Sequence, residues 1–328
     1  MKMFHVMFVL GLALTGFARE RSATFLDAMR NGAMANIKLC VVDDDAQPVS
    51  SAKVRVFMGM NFRERGYWLE GTTDTNGEFA IVGKTTGNEI EICLSKDGYY
   101  ESERKLCLIG MGAEHGVADG KWQPWGSEEK VLLRRMKNPT PLIRAPKGCF
   151  EDEICNTNIN CGFDMMVGDW VTPYGKGLVA DFYAKFQSDG GKPVNSKFSE
   201  LELTFAEPMG GAYCLPVSFD SEFKGAYMAD ASKFSKSKIV LENKVVNGRR
   251  KCKMIGDDKI LVVRSRCKVN ERGELTAANY SVLQHLTFST SYSALGCCRM
   301  SYFFNPKPND TNLEDDELYQ RHKRLRDR

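Results

Sequence analysis

Trp122 and Trp125, in the run Lys121-Trp122-Gln123-Pro124-Trp125, are the residues of this chain best suited to hold a ligand. An indole face stacks on the apolar face of a sugar ring, and aromatics in a loop cost solvation unless they are covered or used. Two uses stay open for the pair: a carbohydrate platform, or a lid packed on a hydrophobic core. Trp68 and Trp170 stand beside strand-like or turn segments and read as core. Catalytic sets are harder to find. None of the four histidines (His5, His115, His285, His322) opens an H-x-x-E or H-E-x-x-H zinc motif, and no G-x-S-x-G elbow occurs. Glu114, His115 and Asp119 sit together in a Gly-rich connection and read as exposed loop polarity. Asp74-Thr75-Asn76-Gly77 begins like a calcium loop, but Thr85 stands at the twelfth position, where a bidentate Glu is needed. It reads as a hairpin turn. No cofactor, metal or catalytic residue is expected. An enzymatic alternative is a hydrolase built on acids such as Asp169 and Asp181.

The chain has 11 cysteines. Cys93 and Cys107 flank a turn at Asp97-Gly98-Tyr99, where they could face each other across a hairpin as a disulfide or remain buried thiols. Cys149, Cys155 and Cys161 are too widely spaced for an ordinary zinc site and read as disulfide-forming in an exported chain. Adjacent Cys297 and Cys298 point to opposite faces of a strand, so different partners are expected.

Export is read from the N-terminus. Lys2, an apolar stretch from Phe4 to Phe17, and small residues at Gly16 and Ala18 form a signal peptide over 1–18 with cleavage before Arg19. The mature chain carries no other apolar segment long enough to span a membrane. The expected location is secreted, periplasmic or extracellular. A net charge of +3 over 328 residues is too small for a dedicated nucleic-acid binder. The partners left are polysaccharide or envelope proteins.

The elements that position these residues are strands. After a lead-in over 19–35, with Phe25, Leu26 and Met29 at helical spacing, apolar residues alternate at Ile37, Leu39, Val41 and at Val54, Val56. Further strands follow at 79–82, 90–94, 106–108 and 131–133, separated by turn pairs such as Asn76-Gly77. This is a sandwich over 36–136. Pro139, Pro141 and Pro146 mark 137–148 as a linker. A second β-rich domain is expected over 149–313, with a strand alternating through Leu178, Ala180, Phe182, Ala184 and Phe186, and with Ile260-Leu261-Val262-Val263 as another. A charged, basic tail runs from 314 to 328.

The ordered turns Val41-Val42-Asp43, Gln47-Pro48-Val49, Ala52-Lys53-Val54, Gly71 to Phe79 and Lys96-Asp97-Gly98-Tyr99 resemble the carboxypeptidase regulatory-like domain over about 36–135. The resemblance implies an all-β fold, an immunoglobulin- or transthyretin-like sandwich, in the role of an accessory module without peptidase chemistry. The block Gly168 to Gly177 and the ending Phe304 to Glu314 resemble secreted bacterial proteins that pair such a sandwich with a β-rich domain; that likeness supplies no activity. Related pilin repeats form Lys–Asn isopeptide bonds, for which Lys38, Glu91 and Asn138 have the right types but not a clear common direction. The expected function is a secreted, non-catalytic binding or scaffolding protein for envelope or extracellular polysaccharide. The alternatives are the hydrolase and a structural surface or matrix subunit.

Overall fold

The computed structural model describes residues 24–317, except 61–64, 88–89, 109–115, 147–148, 155–157, 191–195, 206–207, 257 and 291–294. The signal segment, Glu114, His115, Cys155 and most of the basic tail lie outside them. The fold is all-β, with a short helix at 24–31 ahead of the first strand. Two compact units form. One reaches Met136 and includes Phe219–Phe223; the other runs over Lys137–Ser218 and onward from Lys224.

The first unit contains β1 (Ala33–Val42), β2 (Lys53–Met58), β3 (Tyr67–Thr72), β4 (Glu78–Thr85), β5 (Ile90–Ser95), β6 (Ser102–Leu106), β7 (Val117–Ala118), β8 (Lys121–Trp122) and β9 (Ser127–Leu132). One sheet has the order β4-β1-β8-β7, with β9 also on β1; the other has the order β3-β2-β5-β6. In β1 the odd positions are buried and the even ones face outward, the period of a strand with one face in a core. Leu39, Val41 and Ile81 from one sheet share that core with Val54, Val56 and Ile92 from the other, so the two sheets form a sandwich. Asn76-Gly77 is a hairpin turn: Asp74 Oδ1 accepts the Asn76 and Glu78 N–H groups. Gly77 has φ +73°, and a Cβ there would lie 2.5 Å from the Val41 carbonyl oxygen, so both backbone conformation and space demand glycine.

The hairpin register separates the expected cysteine pair. Cys93 of β5 lies opposite Glu103, and Ile90 opposite Leu106. Cys107 is therefore offset from Cys93 by four ladder positions, roughly 13 Å at 3.3 Å per residue. Both are free thiols. Burial, with Glu91 beside it, raises the Cys93 pKa to about 11.

The second unit contains β10 (Ile143–Arg144), β11 (Phe150–Glu153), β12 (Cys161–Asp164), β13 (Asp169–Trp170), β14 (Phe182–Ser188), β15 (Phe198–Phe205), β16 (Gly211–Pro216), β17 (Lys238–Val246), β18 (Arg249–Lys253), β19 (Lys259–Val269), β20 (Leu275–Thr290) and β21 (Gly296–Phe304). These make two six-stranded sheets. One has the order β13-β12-β14-β15-β17-β18; the other has β10-β21-β20-β19-β16, with β11 on β21. Phe163, Phe182, Phe186 and Leu203 of the first sheet share a core with Leu261, Val263, Met300 and Phe304 of the second. The second sheet is covered on its other face too, where Ile260, Val262, Tyr280 and Val282 pack with Tyr213 and Leu313. A strand buried on both faces reads as an unbroken apolar run, which is why Ile260 to Val263 do not alternate.

Three expectations change here. The proline-rich segment is no free spacer, since β10 lies within it and pairs with β21. The charged tail does not begin as a solvated end: Glu314 is buried, and its carboxylate accepts the Lys137 and Asn138 N–H groups. The strand expected to alternate through Leu178 and Ala180 starts only at Phe182, because the Leu178 and Val179 N–H groups before it are turned onto Asp164.

Candidate functional site

The two loop tryptophans have different jobs. Trp122 is 2% exposed. Its indole Nε1–H donates to the Thr85 carbonyl at 2.9 Å, and Phe25 of the N-terminal helix meets its ring edge-to-face at 5.9 Å. Gly87, with φ +74°, lets the ring lie close, since a Cβ there would be 2.5 Å from Trp122 Cζ2. Trp122 is thus buried as an anchor of the sandwich. Trp125 is 40% exposed, with the Lys121 ammonium 4.9 Å from its ring centroid. Gln123 braces the turn between them: its Nε2 donates to the Lys121 carbonyl and its Oε1 accepts the Trp125 N–H.

This turn falls where β1 changes partners. Met34 pairs with Lys121 of β8, and from Ile37 onward β1 pairs with β9, beginning at Ser127. The chain bulges away between, leaving a groove of about 310 Å³. Ala35, Ile37, Leu108 and Trp122 give it apolar lining; Asn36, Gln123, Ser127 and Glu128 give it hydrogen-bonding groups. Among the described residues the Asn36 and Ser127 side chains have no partner. Lys38 donates to Glu78 at 2.9 Å and sits 3.2 Å from Glu128. A hydrogen bond from Lys38 and its charge hold Glu128 below the usual carboxylate range, and the hydrogen bonds to Glu78 and Glu128 hold Lys38 above the usual lysine range. Lys38 therefore already has two carboxylates, and Glu91 lies in the opposite sheet, so an isopeptide set is not assembled.

Trp68, expected in the core, is instead 43% exposed. It stands on the outer face of β3, opposite Phe57, with ring centroids 5.3 Å apart. The Arg55 guanidinium lies 4.5 Å from the Trp68 ring centroid and pairs with Glu70 at 3.0 Å. The parity of β3 carried the missed signal: Leu69 packs inward, so its neighbour must face out. Trp170 is in the core, as expected.

The acids of the second unit are differently employed. Asp181 is wholly buried; it accepts the Ser265 hydroxyl at 2.6 Å, the Met165 N–H at 2.7 Å and the Arg266 guanidinium. Arg266 also reaches Asp164 at 2.5 Å. Burial alone would push the Asp164 pKa up; the N–H groups of Leu178, Val179 and Val167 and the Arg266 charge outweigh it and hold it below the usual range. Asp169 caps its own turn, accepting the Trp170 and Lys176 N–H groups. Asp169 and Asp181 thus each hold a backbone turn, and the structure does not bring them together as an open acid–base pair. Among the described residues no cluster of His, Cys, Asp or Glu could hold a metal ion, and no helix is long and apolar enough to cross a membrane.

No family model matches the chain. No curated protein matches it either. Similar solved structures include 3-chlorocatechol 1,2-dioxygenase from Rhodococcus opacus 1CP, at 14% identity over 32% of this chain and 61% of that one, with a TM-score of 0.25. The shaft pilin SpaA of Lactobacillus rhamnosus GG matches at 11% identity over 76% of this chain and 93% of that one, with a TM-score of 0.22. The Bacillus anthracis TIE protein matches at 9% identity over 86% of this chain and 49% of that one, with a TM-score of 0.22. The match thus spans under two thirds of the dioxygenase's length. Likeness at this level carries no argument about activity or partner.

Proposed function

We propose that the chain is a secreted, non-catalytic binding protein of the carboxypeptidase regulatory-like kind, and that its first unit binds extracellular or envelope polysaccharide in the groove lined by Trp122, Gln123 and Pro124, with Trp125 next along the same turn. The observation that carries this reading is a groove whose Asn36 amide and Ser127 hydroxyl are unspent, on the same turn as the half-exposed Trp125 indole. A sugar offers apolar C–H faces and many hydroxyls, the complement of such a site. A volume of about 310 Å³ lies at the small end of ligand pockets and suits one or two rings.

The test is a pull-down of the chain from Arg19 onward on a panel of soluble and insoluble polysaccharides, beside Trp125→Ala and Asn36→Ala. Both variants change partly exposed positions and should shift stability by less than about 0.5 kcal/mol. Retention on one glycan, lost in Trp125→Ala, is the expected result. Absence of binding across the panel, or undiminished binding by Trp125→Ala, would sink the assignment.

A second reading, a structural surface subunit, draws on Cys107 and Cys252, both free and exposed. Exposed thiols in an oxidising compartment can cross-link copies. Non-reducing electrophoresis of protein recovered from the exporting cell should then show multimers that Cys107→Ser/Cys252→Ser lacks; monomer alone would end that reading.

A further inference from the structure

The two sheets of the second unit end in edge strands of opposite charge. β18 is the outermost strand of its sheet, and all five of its residues are exposed. Four of them are cations: Arg249, Arg250, Lys251 and Lys253. Lys244 of β17 lies opposite Lys251 and is already paired with Glu242, at 2.7 Å. Among the described residues no ion pair engages a β18 cation. Charge on an edge strand commonly keeps copies apart, because identical edges repel. A second edge of this unit changes that outcome.

β11 pairs with β21 on one side, and among the described residues no strand lies on its other side. It carries Glu151, Asp152 and Glu153, all exposed. Phe150 packs on Phe163 at 4.7 Å and on Trp170 at 5.8 Å, so β11 lies over the β12–β13 end of the facing sheet. β18 closes that sheet at the other end, four strands from β12, roughly 19 Å away at about 4.8 Å per strand. The acidic and basic edges are therefore too far apart to meet within one molecule.

Their faces match. Glu151 and Glu153 lie opposite Arg299 and Cys297, on the face away from the core that holds Cys298 and Met300. Arg249 and Lys251 lie opposite Val246 and Lys244, on the face away from the core that holds Leu241. An antiparallel register with Asp152 opposite Arg250 sets Glu151 against Lys251 and Glu153 against Arg249. Every pair in it is of opposite charge, which stabilises a ladder, whereas β18 against β18 or β11 against β11 opposes like charges. We propose that copies of this chain associate head to tail, with β18 of one copy adding to β11 of the next. Strand addition also gives the N–H and C=O groups of both edges their partners. The two ends of the contact use different surfaces, so it repeats into an open chain unless the rotation closes a ring. The contact is non-covalent and stands whether or not the chain holds glycan or cross-links through cysteine.

The experiment is sedimentation velocity of the chain from Arg19 onward, with a reductant present because Cys252 lies in β18. Concentrations of about 10–500 μM suit a small interface. The parent should sediment faster as concentration rises, and the association should weaken about fivefold or more between about 50 and 500 mM salt. Arg249→Glu/Lys251→Glu and Glu151→Lys/Glu153→Lys each set like charges across the contact and should each weaken it about tenfold or more. All four positions are exposed, so the variants should melt with the parent. One variant then has two acidic edges and the other two basic ones, so an equimolar mixture should associate again, a recovery that needs both to be folded. A parent that stays monomeric throughout overturns the proposal. So does a mixture that stays monomeric. Association lost on reversing β18 but kept on reversing β11 also overturns it, because the basic edge would then be taking some other acidic surface.

Discussion

Replacing Arg266 with methionine should destabilise the second unit by about 3–5 kcal/mol, the cost of removing one partner from a buried ion network. Arg266 spans two carboxylates, reaching Asp181 through Nε at 2.9 Å and Asp164 through Nη2 at 2.5 Å. It does so from a residue with φ +50°, a conformation L-residues seldom adopt, at an irregularity in the β19–β20 ladder between Ser265 and Lys268. The bulge turns the guanidinium inward. Without it, two buried acids share a site with no cation. Methionine keeps most of the volume, so the loss is electrostatic and not a cavity. Acid should narrow the difference. The pKa of Asp164 is lowered in the folded state, so its contribution is full above its unfolded value of about 3.9 and fades as pH falls through the folded value. Protonation also relieves the unpaired acids of Arg266→Met. Urea unfolding, followed by hydrogen exchange at β14 and β19, should show the largest gap near pH 7 and a smaller one near pH 3. An equal gap at both pH values would mean that the guanidinium acts through packing alone.

The sequence and the structure agree where burial on one face sets a period of two. β1, β2 and β14 are legible because residues such as Leu39 and Val41, Val54 and Val56, and Phe182 and Phe186 return at even spacing to a core. Agreement ends where a side chain commands the backbone. Leu178 and Ala180 continue the alternation of β14 on paper, yet Asp164 draws the Leu178 and Val179 N–H groups out of any ladder. Nothing local in the sequence marks that acid, because its backbone donors lie up to fifteen positions away and its arginine donor lies 102 away. Register is lost for a similar reason. Cys93 and Cys107 bracket a turn, but the turn's position, and not their symmetry about it, sets which residues meet.

The candidate site was half legible. The run 121–125 does carry an exposed indole and lends Trp122, Gln123 and Pro124 to a groove, but spacing could not say which tryptophan faced outward. That depends on β1 exchanging β8 for β9, a non-local pairing. Trp68 differs, since the parity of β3 sets it opposite in face to Leu69, and Leu69 packs into the core.

Trp122→Ala should therefore behave unlike Trp125→Ala. It deletes a side chain that is 2% exposed and packed on Phe25 and Gly87, and it leaves the Thr85 carbonyl without its indole donor. Large aromatic deletions of this kind cost about 3–5 kcal/mol. The groove should go with it, because Trp122 forms part of its apolar lining and anchors the turn that carries Trp125. Loss of glycan retention in Trp122→Ala would then be a folding effect, so the two substitutions must be compared and not combined. Thermal unfolding and limited proteolysis of the first unit separate them. Trp125→Ala should melt with the parent and fail on the glycan; Trp122→Ala should melt lower and be cut sooner in the 116–126 segment. If Trp122→Ala melts with the parent, the indole is not the anchor that its burial and its bond to Thr85 make it, and the rigidity of the turn must come from the Gln123 contacts instead.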